Sequence, residues 1–461
     1  MSARSIFKPH SQPNHNTGVH RLTFRRTHGI IKNTQKPHKK IKKREARGLT
    51  IQDFKEATAK YAEIKNRIQL VISTINPVEM VTPNLEEVKE TWIENAKNGV
   101  FLNPKFHYNY TLLIREAQKI PMLELLKSDL AEIPPTANPA EVFVYHHLMS
   151  VVDDTLYTLK AAEAMVRGDD TTTARYFLAK YGQPDIHTYW MAMNIAGHGV
   201  KTKHQKSTKI SPESIKLLED TVLDAQFIKE MFIWAMEQYD TPWPVEILSD
   251  CSAIDVRDRN SLGSPMIAIP ADRRVSGLKL IELIGHEIES HWLGSKNAEK
   301  IGTLKVDSEL IYEGAAKLKD YQFGASFLGE ATMPQPYYII AERQALLGYS
   351  FAEVGKNLIE LYGISAKRAW GFTYRTFRGI TDATNKSGYA FTKDRAYLEG
   401  FIIAQQIQDK NPALLSFNTL KSKDLAALEA IIDPADLATM ALKDKKIQEE
   451  SAREILRRIK K

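Results

Sequence analysis

Residues 280–294 read LIELIGHEIESHWLG, and residues 307–320 read DSELIYEGAAKLKD. His286 and His291 bracket Glu287 inside an apolar helical run, and a second helical run carries Glu309 and Glu313. Zinc takes imidazole nitrogens and carboxylate oxygens, and its catalytic sites use three protein ligands and leave a position for water. That water ionises near pH ~7, and a carboxylate beside it can take and return the proton. The expected ligands of one Zn2+ are His286, His291 and Glu313, with Glu287 as the base. Glu309 is the alternative ligand, or a partner to one histidine. The spacing is HExxxH, one residue longer than HExxH. On a regular helix, positions five apart lie about 140° from each other. A single wide turn of π-helix absorbs the extra residue, so the spacing predicts one between Glu287 and His291. A histidine on an apolar helix is more often a packed core residue, and short motifs recur by chance. The flank of Leu280, Ile281, Leu283, Ile284 and Ile288 favours the metal, because buried ionisable groups are costly unless paired or ligated.

The chain has 461 residues, enough for two or three domains. A hydrophobic share of 43% and a charged share of 26% are globular values. The lone Cys251 excludes an internal disulfide framework and a four-cysteine zinc site, and suggests a reducing, cytoplasmic setting. It reads as a small core residue rather than a nucleophile. No apolar run reaches membrane-spanning length, and the N-terminus lacks the apolar stretch of a secretory signal. The net charge of +7 is uneven: residues 1–50 hold 13 Lys/Arg against Glu45, which leaves the remainder mildly acidic. Residues 1–48 read as a disordered basic tail, either simply solvated or an arm for an acidic partner.

Helical spacing begins at Thr50, a capping residue, and continues through Phe54, Tyr61, Ile68 and Val71 to Asn76-Pro77. Further helices are expected from Asn84 to Gly99, from about 140 to 166, and from Ser211 to Tyr239. Two β-like runs, Val245–Leu248 and Pro265–Ile269, precede the HExxxH helix. A sheet edge in that place suits an extended peptide, which binds by strand addition. After Glu313 the pattern is again helical, and Leu442–Lys461 reads as a charged helix without a site. Arg375, Arg378 and Lys393 are cations among aromatics in a turn-rich segment. They are candidates either for internal salt bridges or for gripping a substrate carboxylate. Tyr389 and Tyr397 are candidate oxyanion donors.

Six features taken in order resemble one family. They are Asn103-Pro104-x-Phe106-x-Tyr108, Tyr181-Gly182-x-Pro184, the HExxxH string, Glu313-Gly314-Ala315-Ala316, Phe377-Arg378-Gly379, and Lys393-Asp394-x-x-Tyr397-Leu398-x-Gly400. Across roughly residues 55–410 the chain is similar to the microtubule-associated tyrosine carboxypeptidases and their bacterial relatives with a Gln-Glu-Gly-Leu-Ala motif. The resemblance implies zinc on His286, His291 and Glu313, with Glu287 as catalytic base. It also shows departures. Glu289 and Ser290 stand where Gly and Thr are usual, Tyr312 and Ala315 stand where Gln and Leu are usual, and the spacer from His291 to Glu313 is short.

The expected fold is mainly α with some β, a helical scaffold with a small sheet beside the HExxxH helix. The expected divisions are a basic tail 1–48, a helical domain 49–195, a metallopeptidase-like domain 196–440 and a charged helix 441–461. The expected function is zinc-dependent removal of C-terminal residues from a peptide or protein. An endopeptidase on the same scaffold, or a non-catalytic binding protein using the basic arm, are the alternatives.

Overall fold

The computed structural model describes residues 49–75, 84–257, 265–304, 309–385, 387–441 and 447–460. The basic tail 1–48, the expected helix stop at Asn76-Pro77, the start at Leu442 and the side chain of Glu309 lie outside the described residues. The fold is mainly helical with a few short strands. From Gly48 onward the chain makes one compact unit, and its cores draw on elements from both sides of residues 195 and 440.

The long helix Pro139–Val166 is the spine of the first core. Asn138 caps it, accepting a hydrogen bond from Ala140 N, and a proline at the first helical position suits the preset φ. Phe54, Tyr61 and Ile68 from the N-terminal helices pack on it, as do Phe417 and Leu428 from near the C-terminus. The N-terminal run is two helices, Ile51–Lys60 and Ala62–Ser73, joined at Tyr61. A second core is aromatic, with Trp92, Phe106, Phe351, Trp370 and Phe377 in mutual ring contact or close packing. The third core surrounds the HExxxH helix, where Ile281, Ile284, Ile288 and Trp292 meet Phe232 and Ile267.

The single helix expected from Ser211 to Tyr239 is instead two, Pro212–Asp220 and Ala225–Glu237. Val222–Asp224 between them is extended and pairs antiparallel with Arg274–Ser276. Asp224 then caps the second helix by accepting from Phe227 N, so a cap in the middle of a helical pattern restarts it. The two expected β-runs are strands, Val245–Leu248 and Met266–Pro270, which pair in parallel. A third strand, Asp255–Arg257, pairs antiparallel with Met266–Pro270 and forms the edge nearer the HExxxH helix. Cys251 is half-buried in the turn before that strand, not in the core.

The helix Glu309–Phe323 crosses the helix Leu398–Lys410 at two glycines. A Cβ on Gly314 would lie 2.1 Å from the carbonyl carbon of Gly400, and a Cβ on Gly400 would lie 1.8 Å from the carbonyl oxygen of Leu310. Backbone cannot rotate away as a side chain can, so the crossing requires glycine on both helices. Gly314→Ala is expected to lower unfolding free energy by about 3 kcal/mol, the upper part of the overpacking range, read from urea midpoints. A loss under about 0.5 kcal/mol would show that the helices are not so closely apposed.

Candidate active site

The HExxxH helix begins as a regular α-helix, Gly277–Leu283, capped by Ser276. It then widens into π-helix over Ile284–Trp292 and returns to α-helix at Leu293–Lys300. Leu293 N donates to the carbonyl of Ile288, five residues back. Bonding in that register stacks residues five apart, which is the spacing of His286 and His291. Their ring centroids are 5.0 Å apart and nearly perpendicular. The expected wide turn between Glu287 and His291 is present, and it extends over nine residues.

Glu313 comes from the neighbouring helix, held close by the glycine crossing. One ligand atom from each of His286, His291 and Glu313 falls within 4.8 Å of the others. The structure therefore gathers two imidazoles and one carboxylate at one point, the donor set that zinc accepts. His291 is further fixed by Tyr312, whose ring stacks on the imidazole at 3.8 Å. An aromatic platform thus occupies the position where the resemblance places glutamine.

His286 Nδ1 lies 3.0 and 3.1 Å from the two oxygens of Asp320. Asp320 in turn accepts from Lys317 Nζ at 2.8 Å. An imidazole bonded through Nδ1 to a carboxylate presents Nε2 outward, the usual arrangement around a metal-ligating histidine. Sequence reading missed Asp320 and Lys317. The available signal was their spacing from Glu313, seven residues on for Asp320 and four for Lys317, which lies along one helix face. Without metal, burial resists charge on His286, but the Asp320 carboxylate outweighs it and pushes the imidazole up to about 9. Glu287, buried between the histidines, is pushed up to about 7 by desolvation; His286 opposes this and Glu313 reinforces it. Asp255 on the edge strand adds a smaller push in the same direction, so that strand faces the base.

The turn-rich segment after Phe377 is built by the other motifs. Tyr108 accepts from Gly379 N at 3.1 Å and donates to the carbonyl of Ile380 at 3.2 Å. Thr392 donates to the carbonyl of Gly182, and the Arg395 guanidinium presses against Gly182. Arg375 is bidentate to Asp394 at 2.6 and 2.7 Å, and Arg378 approaches the same carboxylate at 3.4 Å. The pair therefore carries one more positive charge than its internal partner neutralises. Lys393 is half-buried and engaged within the fold. Tyr397 accepts from Arg375 at 3.2 Å and lies under Lys317, which is 5.9 Å from its ring centroid. Its phenol is raised chiefly by burial, with Glu313 among the charges acting on it, so it borders the triad. Tyr389 pairs instead with Thr171, held by Asn385 in a left-handed turn at φ 51°. Among the described residues no hydrogen bond joins Tyr389 to the triad.

A mainly helical chain, then, gathers two histidines and a glutamate beside a small sheet, with a cationic turn bordering them. A model of the microtubule-associated tyrosine carboxypeptidase family matches residues 97–416, a span that includes all these side chains. The chain belongs to that family. Membership implies peptidase activity, hydrolysis of a peptide or protein substrate. No curated protein matches the chain. A solved chain described as "BsuCP Crystal Structure" aligns with 88% of this chain and 99% of its own length, at 11% identity and a TM-score of 0.28. Among the described residues no helix is long and apolar enough to cross a membrane.

The His286–Asp320 pair has a pH signature in metal-free protein. A raised histidine contributes stability fully present below its unfolded value near ~6.5 and lost as pH rises through the folded value. The contribution is therefore expected to fade between pH ~6.5 and about 9. Histidine ring NMR on chelator-stripped protein should show His286 titrating well above 7, and Asp320→Asn should bring it back. A His286 that titrates near 6.5 in both proteins would refute the pairing.

Proposed function

We propose that the chain is a zinc-dependent carboxypeptidase, with His286, His291 and Glu313 as the ligands of one ion. The observation that carries the reading is the convergence of those three donors, with their ligand atoms within 4.8 Å, on a π-helix that the HExxxH spacing requires. The donor chemistry fits zinc, and three protein ligands leave a position for water. Bound there, zinc supplies Lewis-acid polarisation of the scissile carbonyl and acidifies the water.

The chain's own residues do the rest. Glu287 takes the proton of the attacking water on its carboxylate and returns it to the leaving amine. Asp320 holds the His286 tautomer. Tyr397, whose oxygen accepts from Arg375, keeps its own O–H free to donate to the developing oxyanion. One cation among Arg375, Arg378 and Lys393 grips a substrate's terminal carboxylate, and Asp394 offsets only one of the two arginines. A cytoplasmic location, suggested by the single cysteine, completes the reading.

Glu287→Gln should keep zinc bound and lower kcat by about 10²–10⁴-fold, measured on synthetic peptides with zinc content assayed alongside. Equal rates with zinc retained would exclude Glu287 as the base. Asp320→Asn should weaken zinc binding by about 10–100-fold in a chelator competition, and an unchanged affinity would remove Asp320 from its supporting role. Mass spectrometry of digested peptides separates the two peptidase readings. Loss of terminal residues, abolished when the C-terminus is amidated, is the carboxypeptidase result, and internal cuts indicate the endopeptidase.

A further inference from the structure

Glu289 stands between the base and His291, where the family resemblance places glycine, and its carboxylate is engaged away from the triad. It is buried, and its Oε1 accepts from Ile447 N at 2.6 Å and from Tyr239 Oη at 3.1 Å. Lys319 Nζ is 3.8 Å from its other oxygen. Ile447 N is at the start of the C-terminal helix Gln448–Ile459, so a carboxylate of the π-helix caps that helix where exposed N–H groups and the helix dipole favour negative charge. The same helix buries Ile447, Ala452, Ile455 and Leu456 against Ile281, Ile284, Ile288 and Trp292. The Gln448 side chain packs so closely on Gly285 that a Cβ there would lie 2.3 Å from its amide nitrogen. On the far side, Asn418 Nδ2 donates to the hydroxyl of Ser290 at 3.0 Å and to its carbonyl at 3.2 Å. Both departures from the family string, Glu289 and Ser290, are therefore anchor points. The helix that Glu289 caps lies beyond residue 416, where the family match ends.

A nine-residue π-helix is a rare, poorly bonded conformation that persists only where tertiary contacts impose it. We propose that the C-terminal helix is a positioning element for the peptidase site, and that Glu289 is the positioning residue through which it holds the π-helix and the separation of His286 from His291. This rests on the reading of His286, His291 and Glu313 as the metal triad.

The test compares the full chain with Glu289→Gly, Glu289→Gln and a chain ending at residue 441. Metal-free hydrogen exchange over residues 284–292 is read against exchange over the long helix 139–166, and zinc affinity, kcat and KM are measured on the same proteins. Glu289→Gly should speed exchange over 284–292 by about tenfold, weaken zinc binding by about tenfold and lower kcat with KM unchanged. Exchange in 139–166 should stay the same. The truncated chain should match or exceed this, and Glu289→Gln, which keeps a carbonyl oxygen for Ile447 N, should recover most of it. Unchanged exchange over 284–292 in Glu289→Gly would overturn the proposal, as would an equal rise in both helices. A wild-type chain that takes up no zinc defeats the triad reading, and the exchange comparison then decides the brace by itself.

Discussion

Two imidazoles five residues apart meet at one point only if the helix that carries them is wound to bond five residues back. That constraint governs the protein. A regular α-turn would send His286 and His291 to different faces and leave Glu313 opposite one of them. The wide turn has poor intrinsic stability, so packing on all sides maintains it. Trp292 and Ile288 are fully buried, Tyr312 stacks on His291, Asn418 holds Ser290, and Glu289 ties the turn to the C-terminal helix. The glycine crossing then brings Glu313 within reach.

Charge is distributed around that point in layers. Next to the triad, Asp320 lies between His286 and Lys317. Further out, Asp394 binds two arginines, and Arg395 pairs with Glu399. Glu342 is fully buried behind them and accepts the backbone N–H of Arg395 at 3.0 Å. Desolvation raises it well above the usual carboxylate range, and its bond to Arg395 supports the turn that leads to Tyr397.

The triad and its wide turn were legible in the sequence because they depend on local quantities, residue type and spacing. The long helix and the two main strands were legible for the same reason. Other features depend on partners distant in the chain. Asp394 lies 19 residues from Arg375, and the ion pair between them makes an internal anchor of a residue that reads equally well as a free carboxylate clamp. Asp320 reads as an ordinary charge near a helix end until the fold sets it 3.0 Å from His286. The break at Val222–Asp224 came from pairing with Arg274–Ser276, some fifty residues on, which no local periodicity records. Glu289 looked like a mere departure from a motif, because its partner Ile447 is 158 residues away.

Zinc-edge X-ray absorption on the purified full chain addresses the central claim most directly. The account predicts one zinc per chain in a four-coordinate shell of nitrogen and oxygen near ~2.0–2.1 Å. The multiple scattering should be that of two imidazoles, reduced to one in His291→Ala. A protein that retains no zinc, or a metal shell without histidine scattering, would contradict it.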